Sequence, residues 1–164
     1  MHPIRHGLCA AIVFAAASLA SPAQAQSVTF NLTGEVLPGV CQFTVNNVDL
    51  GSYVATQFTG AFNGTWVNVP VQVTRCDPLI TKIALRISGL ADASKTTYFR
   101  GLTGVGVELQ QGIAPNTPIV PAGTTLSYTT AAGTYMLRAR MAQTAATVAA
   151  GKFSAPVTIT LSYN

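Results

Sequence analysis

Apolar residues recur at every second position along most of this chain. Val28, Phe30 and Leu32 alternate with Thr29 and Asn31, and Phe43 and Val45 with Thr44 and Asn46. Val67, Val69, Val71 and Val73 form the next run, followed by Ile83, Leu85 and Ile87, then Val105, Val107 and Leu109. Leu126 and Tyr128 are a shorter run; Tyr135, Leu137, Ala139 and Met141 a longer one. The last run alternates from Phe153 through Ala155, Val157, Ile159 and Leu161 to Tyr163. A period of two places one apolar and one wetter face on an extended strand and does not suit a helix, whose period is 3.6. Turn signals separate the runs: Leu37-Pro38-Gly39, Asn63-Gly64, Pro115-Asn116-Thr117-Pro118, Pro121-Ala122-Gly123 and Ala132-Gly133. Pro70 and Pro156 fall inside runs on the outward parity, and a residue with no N–H to donate belongs at an edge, a bulge or a strand start. Residues 142–150, rich in Ala and Thr, read as a loop between two strands. The pattern predicts an all-β, immunoglobulin-like sandwich of about seven to nine strands.

One segment departs from the alternation. Leu8–Ala20 is apolar except for Ser18, follows Arg5, and precedes Ala23-Gln24-Ala25, a small-x-small motif. These are the parts of a secretory signal peptide, with cleavage expected after Ala25. The run is shorter than the roughly 20 residues a membrane-spanning helix requires. Cleavage would leave residues 26–164, enough for one domain.

Charge excludes several function classes. Charged residues are 9% of the chain, against roughly 25% in an ordinary soluble protein. Both histidines, at positions 2 and 6, lie in the signal segment, so Ser/His/Asp and Cys/His chemistry is closed to residues 26–164. Glu35, Asp49, Asp77, Asp92 and Glu108 are spread along the chain with no motif that organises them. The eight remaining basic residues stand apart in sequence, from Arg75 to Lys152, without the basic stripe that nucleic acid requires. No catalytic residue, metal site, cofactor or small-molecule substrate is expected. Cys41 and Cys76 remain after cleavage. An even pair in an exported chain reads most simply as a disulfide; the alternative, a metal site, would have to recruit distant carboxylates.

Several ordered features together resemble the pilins of chaperone–usher (type 1-like) fimbriae. The alternating segment Val28–Val36 ends in Gly34-Glu35-Val36, a few residues before the first cysteine. The spacing of Cys41 and Cys76 is similar to that family's disulfide, and Gly104-Val105-Gly106-Val107-Glu108-Leu109 resembles its mid-chain strand. Gly151 stands where the family carries a characteristic glycine near the C-terminus, and Tyr163 is penultimate.

The resemblance implies a specific architecture: an incomplete immunoglobulin-like β-sandwich completed by a donor strand from a neighbouring subunit. Residues 1–25 are then the signal peptide, 26–40 the N-terminal donor-strand extension and junction, and 41–164 the pilin domain. Val28, Phe30, Leu32, Gly34 and Val36 form the donor strand, Gly34 leaving a shallow pocket through which an incoming strand displaces a chaperone. Gly151, Phe153, Val157, Ile159, Leu161 and Tyr163 form the strand that borders the acceptor groove. The implied partners are identical or related pilin subunits, a periplasmic pilus chaperone and an outer-membrane usher, without nucleic acid. The implied location is a surface fimbrium reached through the periplasm. The implied function is that of a structural subunit that polymerises by donor-strand exchange and supports cell adhesion. The alternatives are a minor or adaptor pilin, or an adhesive sugar-binding subunit in which Trp66, Tyr53, Tyr98 and Phe99 stack on a glycan.

Overall fold

The computed structural model describes residues 39–129 and 131–163, together with Asn31 and Thr33. The chain divides into two units, residues 1–36 and 37–164, and the architecture below is that of the second. The signal segment with Ala25, and Val28, Phe30, Leu32, Gly34 and Val36, lie outside the described residues.

Nine strands are described. They are β1 (Gln42–Val45), β2 (Val67–Thr74), β3 (Ile83–Gly89), β4 (Phe99–Arg100), β5 (Val105–Gln111), β6 (Pro118–Ile119), β7 (Thr124–Tyr128), β8 (Gly133–Gln143) and β9 (Val157–Tyr163). One short 3₁₀ turn, Ala55–Gln57, interrupts the connection from β1 to β2. All described pairings are antiparallel. The larger sheet runs β1-β2-β8-β5-β4, with β6 also on β5; the smaller runs β7-β3-β9.

The period of two is what lets these sheets stack. Val71 and Val73, Leu85 and Ile87, Val107 and Leu109, and Tyr135 and Leu137 are all buried in one core. Each such side chain stabilises the fold by roughly 1.5–3 kcal/mol relative to exposure. The two prolines obey the ladder's demands. Pro70 sits one residue before β2 gains its second neighbour, since β1 pairing reaches only to Val45 opposite Val71. Pro156 immediately precedes β9.

The last strand is therefore shorter than its alternation. Phe153–Pro156 keep the apolar–polar rhythm but are not in the ladder. Gly151 and Phe153, expected in the strand, belong to the connection before it. A residue without an N–H marks where pairing starts. Two strands were not foreseen, β4 and β6, each of two residues and too short to show a period. Pro118, which reads as a turn residue, begins β6.

Strand directions define two poles of the sandwich. β1 starts at the pole where β2 ends, and β8 starts there too, with Gly133 opposite Val73. In the smaller sheet Ile83 faces both Tyr128 and Tyr163, so β3 starts where β7 and β9 end. This proximal pole is where the continuously described part of the second unit begins, at Gly39–Val40. It is stapled by the Cys41–Cys76 disulfide and by the Asp77 N–H, which donates to the Val40 carbonyl. Asp77 also turns the chain after β2: its carboxylate accepts from the Leu79 N–H and its carbonyl from the Ile80 N–H. A loop of 35 residues closed in this way stabilises the fold by roughly 3–4 kcal/mol in the chain-entropy account.

Candidate functional site: a groove between two strand edges

Among the described strands that have a neighbour on one side only, β1 and β9 face each other across a groove. β1 pairs with β2, and β9 pairs with β3. They belong to different sheets, and a groove of about 1220 Å³ separates them. Phe43 and Val45 of β1, continued by residues 46–53, form one rim; Val157 and Ile159 of β9, preceded by residues 148–156, form the other. The floor is the inner face of the larger sheet, with Val69, Val105, Val107, Leu109, Leu137, Ala139 and Met141.

The rims carry side chains of inward parity that are not fully covered. Phe43 is 38% exposed, Val45 37% and Val157 36%, while Ile159 is half-buried. Free strand edges present unpaired N–H and C=O groups, and such an edge readily accepts another strand. An apolar floor between two such edges offers both halves of what an extended peptide needs: hydrogen bonds at its margins and pockets for alternate side chains.

The expected groove-bordering residues do not all arrive together. Gly151, Phe153, Val157 and Ile159 line the groove. Leu161 and Tyr163 are absent from its described lining and pack instead against the core near the proximal pole. Gly151 has φ +155°, while a Cβ built there would come no closer than 3.7 Å to Leu102. The demand for glycine at that position is one of backbone conformation, not of space. The opposite rim was missed. Phe43 and Val45 showed their alternation, but a four-residue strand does not announce which sheet it joins.

Polar chemistry in this region is sparse. Among the described residues no three His, Cys, Asp or Glu side chains come together as a metal site would need. The aromatic residues weighed for glycan stacking are scattered. Phe99 is buried in the core; Tyr53 packs edge-on against Phe62, and its hydroxyl accepts from the Thr65 N–H. The Lys95 ammonium sits over Tyr98, and Trp66 lies under both Arg138 and Arg140. In that last group two basic residues share one aromatic ring. It lies on the solvent side of the larger sheet, where Glu108 stands opposite Arg140 and accepts from its Nε at 2.7 Å. Arg138 donates to Gln110, which donates in turn to Glu108. One of the two guanidinium charges is thus matched locally.

Among the described residues, the one titration displaced from its ordinary value is remote from the groove. Burial pushes the Tyr128 phenol above 10.0; nearby Gln111 pulls it down, and neighbouring Tyr135 adds a smaller upward push.

Comparison with known proteins places this arrangement. The family model for fimbrial proteins matches residues 30–164, most of the chain. The chain belongs to the fimbrial protein family. As a fimbrial protein it is a structural pilus subunit, not an enzyme, and its setting is the extracellular pilus, among other pilin subunits. Solved structures agree on the fold. The P pilus rod subunit PapA is similar at a TM-score of 0.63 and 15% identity, over 76% of this chain and 99% of that one. A subunit from a chaperone–usher pilus structure that addresses rod uncoiling is similar at 0.58 and 16%, over 90% and 100% of the two chains. The Burkholderia pseudomallei antigen and type I fimbria protein BPSL1626 is similar at 0.51 and 19%, over 77% and 100%. No curated protein matches the sequence. At these identities the structural likeness concerns the fold alone, and the fold is the immunoglobulin-like pilin sandwich.

Proposed function

We propose that this fimbrial subunit polymerises by donor-strand exchange: its groove receives residues 26–36 of another copy or a related subunit. The observation that carries this reading is the pair of one-sided strands, β1 and β9, flanking an apolar floor. The alternation in Val28, Phe30, Leu32 and Val36 supplies matching side chains on one face. Residues 28–36 extended span about 26 Å, and residues 153–163, which include β9, about 33 Å, so the lengths suit each other. β-strand addition of this kind joins backbone hydrogen bonds to side-chain pockets.

The rest of the route follows from the same groove. Residues 1–25 direct export and are removed after Ala25; residues 26–40 are the extension and junction; residues 41–164 are the pilin domain. A periplasmic chaperone occupies the groove in transit along β9, and an outer-membrane usher receives the complex. Gly34 leaves one pocket shallow so that the incoming strand can enter stepwise. Adhesion is a property of the assembled fimbria.

Deleting residues 26–36 tests the proposal. The shortened chain is expected to stop polymerising and to gain thermal stability from a synthetic peptide of residues 26–36. Stable monomers of the chain from residue 26 that ignore the peptide would sink the idea. Gly34→Leu is expected to slow subunit exchange while leaving the melting temperature of the filled domain in place.

A further inference from the structure

The solvent face of the larger sheet carries a polar cluster that neither the core nor the groove uses. Register sets it out in two rows. Asn68 of β2, Arg138 of β8 and Gln110 of β5 stand side by side, and Glu108 stands opposite Arg140 in the next row. Trp66 directly precedes β2. The centre of its ring lies 4.5 Å from the Arg138 guanidinium and 4.3 Å from that of Arg140.

The two arginines are held differently. Arg140 is ion-paired with Glu108. Arg138 donates from Nη2 to Gln110 Oε1, a neutral acceptor, and no carboxylate among the described residues lies within ion-pair distance of it. Its Nε is buried without an acceptor among the described residues. The cluster thus holds one more cation than it holds carboxylates. The Arg138 guanidinium is also preset. Its contact with the indole and its anchor at Gln110 leave less side-chain freedom to lose when an anion arrives.

We propose that this cluster binds the carboxylate of an acidic sugar, a uronic acid residue of a polysaccharide. Arg138 takes the carboxylate on its Nη edge, because a planar guanidinium fork matches a planar carboxylate. Asn68, exposed beside it, supplies an amide donor and acceptor for sugar hydroxyls. Trp66 acts through the guanidiniums that it orients. Two features select this ligand over other anions. β8 has β2 on one side and β5 on the other, so no free strand edge is at hand for a peptide backbone, and recognition rests on side chains alone. Glu108 beside the site repels a doubly charged phosphate, while one unmatched positive charge suits a singly charged carboxylate. A single site of this kind is weak, but a pilus repeats it in every copy, and repetition turns weak contacts into avid binding. The site is separate from the groove and does not depend on donor-strand exchange.

Trp66 is the chain's one tryptophan, so its fluorescence reports from the cluster alone. Titrating the chain from residue 26, as monomer or polymer, with glucuronate should change that fluorescence saturably. The methyl ester of glucuronate should bind at least about tenfold more weakly. Equal responses to acid and ester, or no response to either, overturn the proposal. Sodium acetate that matches glucuronate also overturns it, because the site would then read a bare carboxylate and not a sugar. Arg138→Gln should abolish the response at an unchanged melting temperature. Arg138→Lys keeps the charge, loses the fork and should bind at least about tenfold more weakly; parent-like affinity in that variant overturns the assignment even if Arg138→Gln does not fold. Uronic acids occur in polysaccharides of host tissue and of bacterial matrices, so fibres are passed over immobilised hyaluronate and alginate. Retention on either, lost in Arg138→Lys fibres, supports the site and identifies the source; retention on neither overturns it.

Discussion

β3 and β9 are neighbours in one sheet, share one alternation, and face each other residue by residue: Leu85 opposite Leu161, Ile87 opposite Ile159, Gly89 opposite Val157. Leu85 and Ile87 are fully buried, while Ile159 and Leu161 are half-buried and Val157 is exposed. Composition does not explain the difference. β3 has β7 on one side and β9 on the other, whereas β9 has only β3 among the described residues. A strand's burial is set by what flanks and covers it, and the same sequence pattern serves both a finished core and an unfinished edge.

The comparison can be broken most sharply in β3. Leu85→Ala should destabilise the domain by about 3–5 kcal/mol, measured by denaturant unfolding, with or without a donor peptide, because its surroundings are already complete. Removing the staple at the other rim, with Cys41→Ala and Cys76→Ala together, should cost about 3 kcal/mol. That loss frees β1 as well as loosening the domain, so affinity for a peptide of residues 26–36 should fall with it, as titration calorimetry would register.

Ile159→Ala sharpens the contrast. In the unfilled domain it should cost only about 1 kcal/mol, since the side chain is half-exposed. With the peptide bound, the cost should rise toward that of a core position. Equal costs in the two states would mean that β9 is an ordinary edge strand with nothing to receive.

Tyr128, in β7 on the far side of β3, gives the smallest effect. Burial raises its pKa above 10.0, so the folded state favours the neutral phenol. The stability that follows is present below the unfolded value and is lost as pH rises through the folded one. Tyr128→Phe should leave thermal stability near neutral pH almost unchanged and flatten its decline above pH 10.0.

Much of this contrast was legible in the residues. The parity of Ile83, Leu85 and Ile87, and of Tyr135 through Met141, matches their burial because side chains on a strand alternate regardless of context. The prolines at 70 and 156 marked ladder limits for an equally local reason. What escaped was of two kinds. β4 and β6 are too short for a period and exist because β5 offers an edge to pair with. The rim formed by Phe43 and Val45 escaped because a strand does not say which sheet it joins. The pairing of Arg138 and Arg140 with Trp66 and Glu108 escaped for a related reason, as it forms across three chain segments that only the sheet aligns.

By itself the sequence determined that this chain makes strands, which face of each is apolar, and that histidine chemistry is closed to residues 26–164. These follow from local geometry and side-chain inventory. Only the tertiary structure decided that the alternating faces divide between a sealed core and a groove. That division depends on strand order, and strand order depends on long-range pairing that the period of two does not encode.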